Sequence, residues 1–157
     1  MFARRVAVPR SLVRVLACSF LLGCSNAEQP GSDLDRLTAA EARWHAAGIH
    51  NYDYVIGFSC GLCVFPLRPV SVQVRGDTTM SVRYVDDGSP VDTARLSGFG
   101  TIDGTFEALR RDLLLEPDRF NAVYDARLGY PMNAFVDMHT DAADDESGFT
   151  ISELTVR

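Results

Sequence analysis

What most constrains the fold of this chain is the order of its apolar periods, which switch twice from a helical stripe to strand-like alternation. Leu34, Leu37, Ala40, Trp44 and Ala47 recur at spacings of three and four, one face of a helix. Ser32 stands where it can cap that helix, Thr38 and Glu41 have capping-box spacing that offers Ala39 as another start, and Gly48 ends it. Tyr52, Tyr54, Ile56, Phe58 and Cys60 then alternate with mostly smaller or polar residues, the period of a half-buried strand. Val70, Val72 and Val74 predict a second strand, and Met80, Val82 and Tyr84 a third. Gly76-Asp77 is a hairpin turn between those two, which also disposes of Arg75-Gly76-Asp77 as an adhesion tripeptide; Asp87-Gly88 closes the third strand.

The order then recurs. Thr101 is a good N-cap, and Ile102, Phe106, Leu109 and Leu113 mark an amphipathic helix to about Leu115. Phe120, Ala122 and Tyr124 predict a fourth strand, Gly129-Tyr130-Pro131 a turn, and Met132, Ala134 and Val136 a fifth strand. Asp144 to Gly148 reads as a polar loop, and Phe149 to Val156 as a sixth strand whose alternation slips near Glu153, as at a bulge. Hairpin-length loops imply antiparallel pairing. The expected architecture is α+β: two tandem units of a helix plus three strands, forming one antiparallel sheet of about six strands with two helices on one face.

Residues 1–23 read as a leader rather than as part of this fold. Arg4, Arg5, Arg10 and Arg14 precede an apolar stretch that ends in Leu21-Leu22-Gly23-Cys24. The stretch is too short and interrupted for a membrane span, which needs about 20 apolar residues. Leucine three positions before a cysteine, with a small residue directly before it, resembles the lipobox of bacterial prolipoproteins. The resemblance implies acylation of Cys24, palmitate included, and cleavage before it. Ser25, in place of aspartate, resembles the class sorted to the outer membrane, facing the periplasm, in a Gram-negative cell. The expected division is a signal peptide over 1–23, a lipidated cysteine and flexible tether over 24–32, and a single α+β domain over 33–157.

Charge and cysteines agree with export. The whole chain carries 15 basic and 21 acidic residues and no lysine. All four leader arginines leave with residues 1–23, so the remainder carries a formal −10. That balance excludes nucleic-acid binding through a basic patch. Cys18 departs with the leader and Cys24 takes the lipid, which leaves Cys60 and Cys63. An even pair in an oxidising compartment is expected to form a disulfide. The Cys60-Gly61-Leu62-Cys63 spacing also suits a redox pair, but the first cysteine sits at a strand end rather than at a helix N-terminus. A zinc site would recruit His45, His50 or His139.

Other chemistry is thinly signalled. Asp137, Asp141, Asp144, Asp145 and Glu146 are candidates for a divalent cation, without the ligand alternation or central glycine of an EF-hand. Asp125 and Asp137 end two neighbouring strands and are a candidate carboxylate pair. Tyr52, Tyr54 and Tyr124 are expected to pack on the sheet, whereas Tyr130, in a turn beside Pro131, is the candidate for an exposed partner-binding aromatic. No phosphate loop, nucleophile elbow or paired-histidine zinc motif occurs.

Several short pieces nevertheless form a recognisable set: Arg43-Trp44, Asn51-Tyr52-Asp53-Tyr54, the Cys60/Cys63 pair, Pro69-Val70-Ser71-Val72 and Thr101-Ile102-Asp103-Gly104-Thr105-Phe106. Tyr124-Asp125, Gly129-Tyr130-Pro131 and Asp144-Asp145-Glu146-Ser147-Gly148-Phe149 continue it. Together they resemble the bacterial envelope proteins, many of them lipoproteins, grouped as domain of unknown function 6174. The resemblance implies the fold, the envelope address and the cysteine pair, and supplies no activity. The expected function is therefore a non-enzymatic, membrane-anchored envelope protein that binds another envelope protein and needs no cofactor. A divalent-cation or small-ligand module built on the acidic loop competes with it, and a thiol redox or other enzyme stands third.

Overall fold

The computed structural model describes residues 31–60, 68–92 and 99–157. The expected leader over 1–23, Cys24, most of the expected tether and Cys63 lie outside the described residues. The elements run α1 (Asp33–Ala46), β1 (Asn51–Cys60), β2 (Val70–Arg75), β3 (Thr78–Tyr84), α2 (Ile102–Leu114), β4 (Arg119–Tyr124), β5 (Pro131–Asp137) and β6 (Glu146–Val156). The strands form one six-stranded sheet in the order β3-β2-β1-β6-β5-β4, antiparallel at every step. This is the α+β architecture that the periodicity predicts.

Both helices start at side-chain caps. The Ser32 hydroxyl accepts the Asp35 N–H at 3.2 Å and the Asp35 carboxylate accepts the Ser32 N–H at 3.0 Å, a reciprocal capping box that fixes the start at Asp33 rather than Ala39. Thr101 accepts the Gly104 N–H at 3.0 Å and starts α2 in the same way. The buried stripe of α1 is Leu37, Ala40 and Trp44. Leu34 is 40% exposed and Ala47 is exposed, so the stripe is shorter than the spacing predicts. Leu34 sits in the first turn, beyond the part of the helix that lies on the core, and Ala47 is already the C-cap.

Both helices share one face. The core cluster runs without a break through Leu37 and Trp44 of α1 and Ile102, Phe106 and Leu109 of α2. It continues through the inward residues of all six strands, from Val82 on β3 to Ala122 on β4. Tyr52, Tyr54 and Phe106 are among the largest fully buried side chains. An aromatic of this kind removes about 150–250 Å² from water and anchors such a core.

Two departures from simple alternation have a common cause. Met80 is 66% exposed although it alternates with Val82 and Tyr84. The β2–β3 register passes from Gln73↔Ser81 to Val74↔Thr79, so Met80 is an extra residue in the ladder and turns outward. Thr79 turns inward instead and donates its hydroxyl to the Gly100 carbonyl at 2.6 Å. At the other site the register passes from Asp53↔Thr155 to Val55↔Ser152, and Glu153 takes φ 56, which is the slip expected near Glu153. Strand β6 also starts three residues earlier than its alternation indicates. Glu146, Ser147 and Gly148 pair with Asp137, Val136 and Phe135. The Gly76-Asp77 turn has φ 54 and 62 at its two residues, the backbone a two-residue hairpin requires.

Candidate functional site

A groove forms where the C-terminal end of α1, the β2–β3 turn and the first turn of α2 meet. It has a volume of about 420 Å³ and is lined by Trp44, His45, Gly48, Ile49, His50, Asp77 and Asp103. Two histidine–aspartate pairs frame it. His45 Nε2 lies 2.8 Å from Asp103 Oδ1, and His50 Nδ1 lies 2.8 Å from Asp77 Oδ2. All four side chains are well exposed, so their Coulomb attraction is screened and these contacts orient rings more than they stabilise the fold.

The layer beneath the groove is buried and hydrogen-bonded. Trp44 is 2% exposed and meets the Tyr52 ring edge-on at 5.2 Å. The Tyr52 hydroxyl accepts the Ile102 N–H at 2.9 Å, which ties the start of α2 to β1. Burial pushes the Tyr52 phenol up to about 12, against the lowering effect of the Ile102 hydrogen bond and with the help of Asp103 and Asp77. The Tyr54 hydroxyl donates to the Phe99 carbonyl at 2.6 Å, and burial moves its titration strongly upward. These tyrosines are therefore neutral packing groups. The groove offers two carboxylate-oriented imidazoles and no nucleophilic Ser or Cys among its described lining residues.

A smaller cavity of about 220 Å³ lies at the other end of the sheet, under the last turns of α2. Among the described residues Phe58, Phe99, Leu109, Val136 and Phe149 make it apolar, and Arg111 and Asp112 stand with them. Burial raises the Asp112 carboxyl above its ordinary range, opposed by Arg111.

The acidic candidates do not converge. Asp137 ends β5 and is 9% exposed, opposite Glu146 at the start of β6. Asp145 Oδ2 lies 3.0 Å from His139 Nδ1, and Asp141 and Asp144 face solvent. Among the described residues no three His, Cys, Asp or Glu side chains come together in a way that holds a metal ion. Asp125 and Asp137 do not form a carboxylate pair. Arg119 pairs with Asp137 at one end of the β4–β5 hairpin, whereas Asp125 follows Tyr124 at the turn end. Antiparallel pairing places the C-terminal ends of two neighbouring strands at opposite ends of their ladder.

Tyr130 is half-buried rather than fully presented, with its ring edge-on to Trp44 at 6.4 Å. Cys60 ends β1 as its alternation predicts. Sequence reasoning found His45 and His50 but missed their partners, because Asp103 and Asp77 lie 58 and 27 residues away and carry no local signal. No curated protein and no solved structure matches the chain. A family model matches residues 36–156, and the chain belongs to that family of unknown function, DUF6174.

Proposed function

We propose that this protein is a lipid-anchored component of a bacterial cell envelope whose folded part is a non-enzymatic protein-interaction module. One observation carries the interaction reading. Both helices cover the same face of the sheet, and among the described residues no element covers the opposite face, where Val123 is 46% and Phe135 38% exposed. The titratable side chains described above meet in twos, which suits surface orientation better than catalysis.

The anchor reading rests on Leu21-Leu22-Gly23-Cys24. Ser32 caps the first helix eight residues after Cys24, so the tether reaches at most about 28 Å at full extension. The module then works close to its membrane, the periplasmic face of the outer membrane in a Gram-negative cell. Within it Cys60 and Cys63 are bonded to each other and shape the loop after β1. A loop this short adds little by chain entropy, so Cys60→Ser, Cys63→Ser folds normally.

Labelling with a palmitate analogue tests the anchor: wild-type protein takes the label and Cys24→Ser does not. Crosslinking in intact cells tests the module. One specific adduct, lost in Phe135→Asp, is the expected result. Adducts no different from those of an unrelated lipoprotein sink the reading. A small-ligand role has the apolar cavity beside Asp112 in its favour. Calorimetry with calcium, zinc and short amphiphiles separates that role from the interaction module.

A further inference from the structure

We infer that the chain pairs with a second copy of itself through the free edge of β4. This gives the interaction reading one definite partner and rests on that reading. The sheet order leaves β3 and β4 as its edges. The β3 edge is blunted: Met80 bulges out of its ladder and Pro90 bridges to Arg83. Bulges and covered edges discourage further pairing. No other strand pairs with β4 beyond β5 among the described residues.

The backbone of β4 is set up for an antiparallel neighbour. The Asp118 N–H donates to the Met138 carbonyl at 3.3 Å. Antiparallel alternation from that point turns the backbone groups of Phe120 and Ala122 toward β5, and those of Arg119, Asn121 and Val123 outward. A two-fold axis at Ala122 lets the outward groups satisfy one another, Asn121 of each copy against Val123 of the other. The ladder shifts after Val123, and the same register brings Arg119, which makes no ion pair among the described residues, toward Asp125 of the second copy, whose Oδ1 accepts the Arg127 and Leu128 N–H groups and whose Oδ2 is left for the guanidinium. Opposite charges thus meet at both ends of the shared ladder, and the strand is its own complement.

The helix side is self-complementary too. Helix α1 starts near the Tyr124 end of β4, where Asp33 and Arg36 act electrostatically on the Tyr124 phenol. Helix α2 ends near the Arg119 end, joined to it by a short connection. Leu34 is 40% exposed, and Leu114 and Leu115 are 68% and 62% exposed. Antiparallel pairing of the two β4 strands carries Leu34 of one copy to Leu114 and Leu115 of the other. The product is a continuous sheet across two chains with all the helices on one side.

The test uses the full chain in detergent, oxidised mildly and run on a non-reducing gel. Across the axis Ala122 faces its own counterpart with Cα atoms about 4.5 Å apart, within disulfide reach. Ala122→Cys is expected to give a covalent dimer in most of the protein, and Met80→Cys, on the other edge, none. Adding Asn121→Pro, whose ring replaces an outward N–H and removes no bond to β5, is expected to abolish the dimer. A monomer from Ala122→Cys overturns the inference, as does equal dimer from Met80→Cys or a dimer that survives Asn121→Pro. In intact cells, Ala122→Cys captured by a different envelope protein overturns self-pairing while the interaction reading stands. No adduct of either kind at Ala122 also overturns self-pairing, and the interaction reading is then judged by the crosslinking of wild-type protein and Phe135→Asp on the open face.

Discussion

Gly129 is where a single residue does most for the fold. Its φ is +86, and a Cβ built there lies 2.2 Å from the Ala40 carbonyl and 2.9 Å from Arg43 Cβ. The β4–β5 turn can press onto α1 only because nothing projects from it. Gly129→Ala is expected to lose about 3 kcal/mol, from backbone strain together with a clash against backbone, read from urea midpoints. Asp112 acts in the opposite sense. Burial raises its folded-state pKa above the unfolded value, so across that interval the unfolded chain has released a proton that the folded chain still holds. Stability from this group therefore falls as pH rises through the carboxylate range and stays lower at neutrality. Asp112→Asn should flatten that slope and raise the neutral urea midpoint; an unchanged pH profile would show that the carboxyl is solvated. Little of this was legible beforehand. Gly129 reads as an ordinary turn glycine until α1 is folded against it. The aspartates beside His45 and His50 come from a different helix and a different turn.

At the scale of elements the sequence is far more legible, because strand period and cap chemistry are local. Tyr52, Tyr54, Ile56, Val70, Val72 and Val74 all face the core as their alternation predicts. Ser32 and Thr101 cap the helices that they precede. In β3 and β6 alternation fails where the backbone adds a residue. Met80 has the right parity in sequence and the wrong one in space, since the slip sits in its pairing with β2. At Glu153 the slip was visible, because the polar residue interrupts the apolar alternation of its own strand. Glu153 holds φ +56, a region that costs an ordinary side chain about 1–2 kcal/mol and glycine almost nothing. Glu153→Gly is expected to raise stability by about 0.5–1 kcal/mol after the extra entropy of glycine in the unfolded chain is offset. Glu153→Ala, which keeps the strain, serves as the comparison in thermal melts. A gain in the alanine variant equal to that in glycine would point to the carboxylate rather than the backbone.

The two halves of the molecule share an element order, a helix then three strands, and lie side by side in the sheet as β3-β2-β1 and β6-β5-β4. They are not related by rotation. Superimposing β1, β2 and β3 on β4, β5 and β6 keeps their lateral order but reverses strand direction, since β1 and β6 are antiparallel. A rotation that does both must exchange the sheet's faces, yet both helices lie on one face. The tandem look of the sequence is thus a repeat of periodicities, and the unit of folding is the whole sheet. Its seam is β1 against β6, ten and eleven residues and the two longest strands. The core cluster crosses that seam, with Tyr52, Ile56, Phe149 and Ile151 in one body. A half cut from the rest would leave one edge of β1 unpaired and the inward faces of its strands without α2. We therefore expect one cooperative unfolding transition for the whole chain, with ring-current NMR signals and far-UV ellipticity lost together in urea. Residues 1–92 produced without the remainder should lack dispersed amide signals. A well-dispersed spectrum from that fragment, or two separated transitions in the whole chain, would mean that each helix and its three strands stand alone and that the β1–β6 seam is an interface between domains.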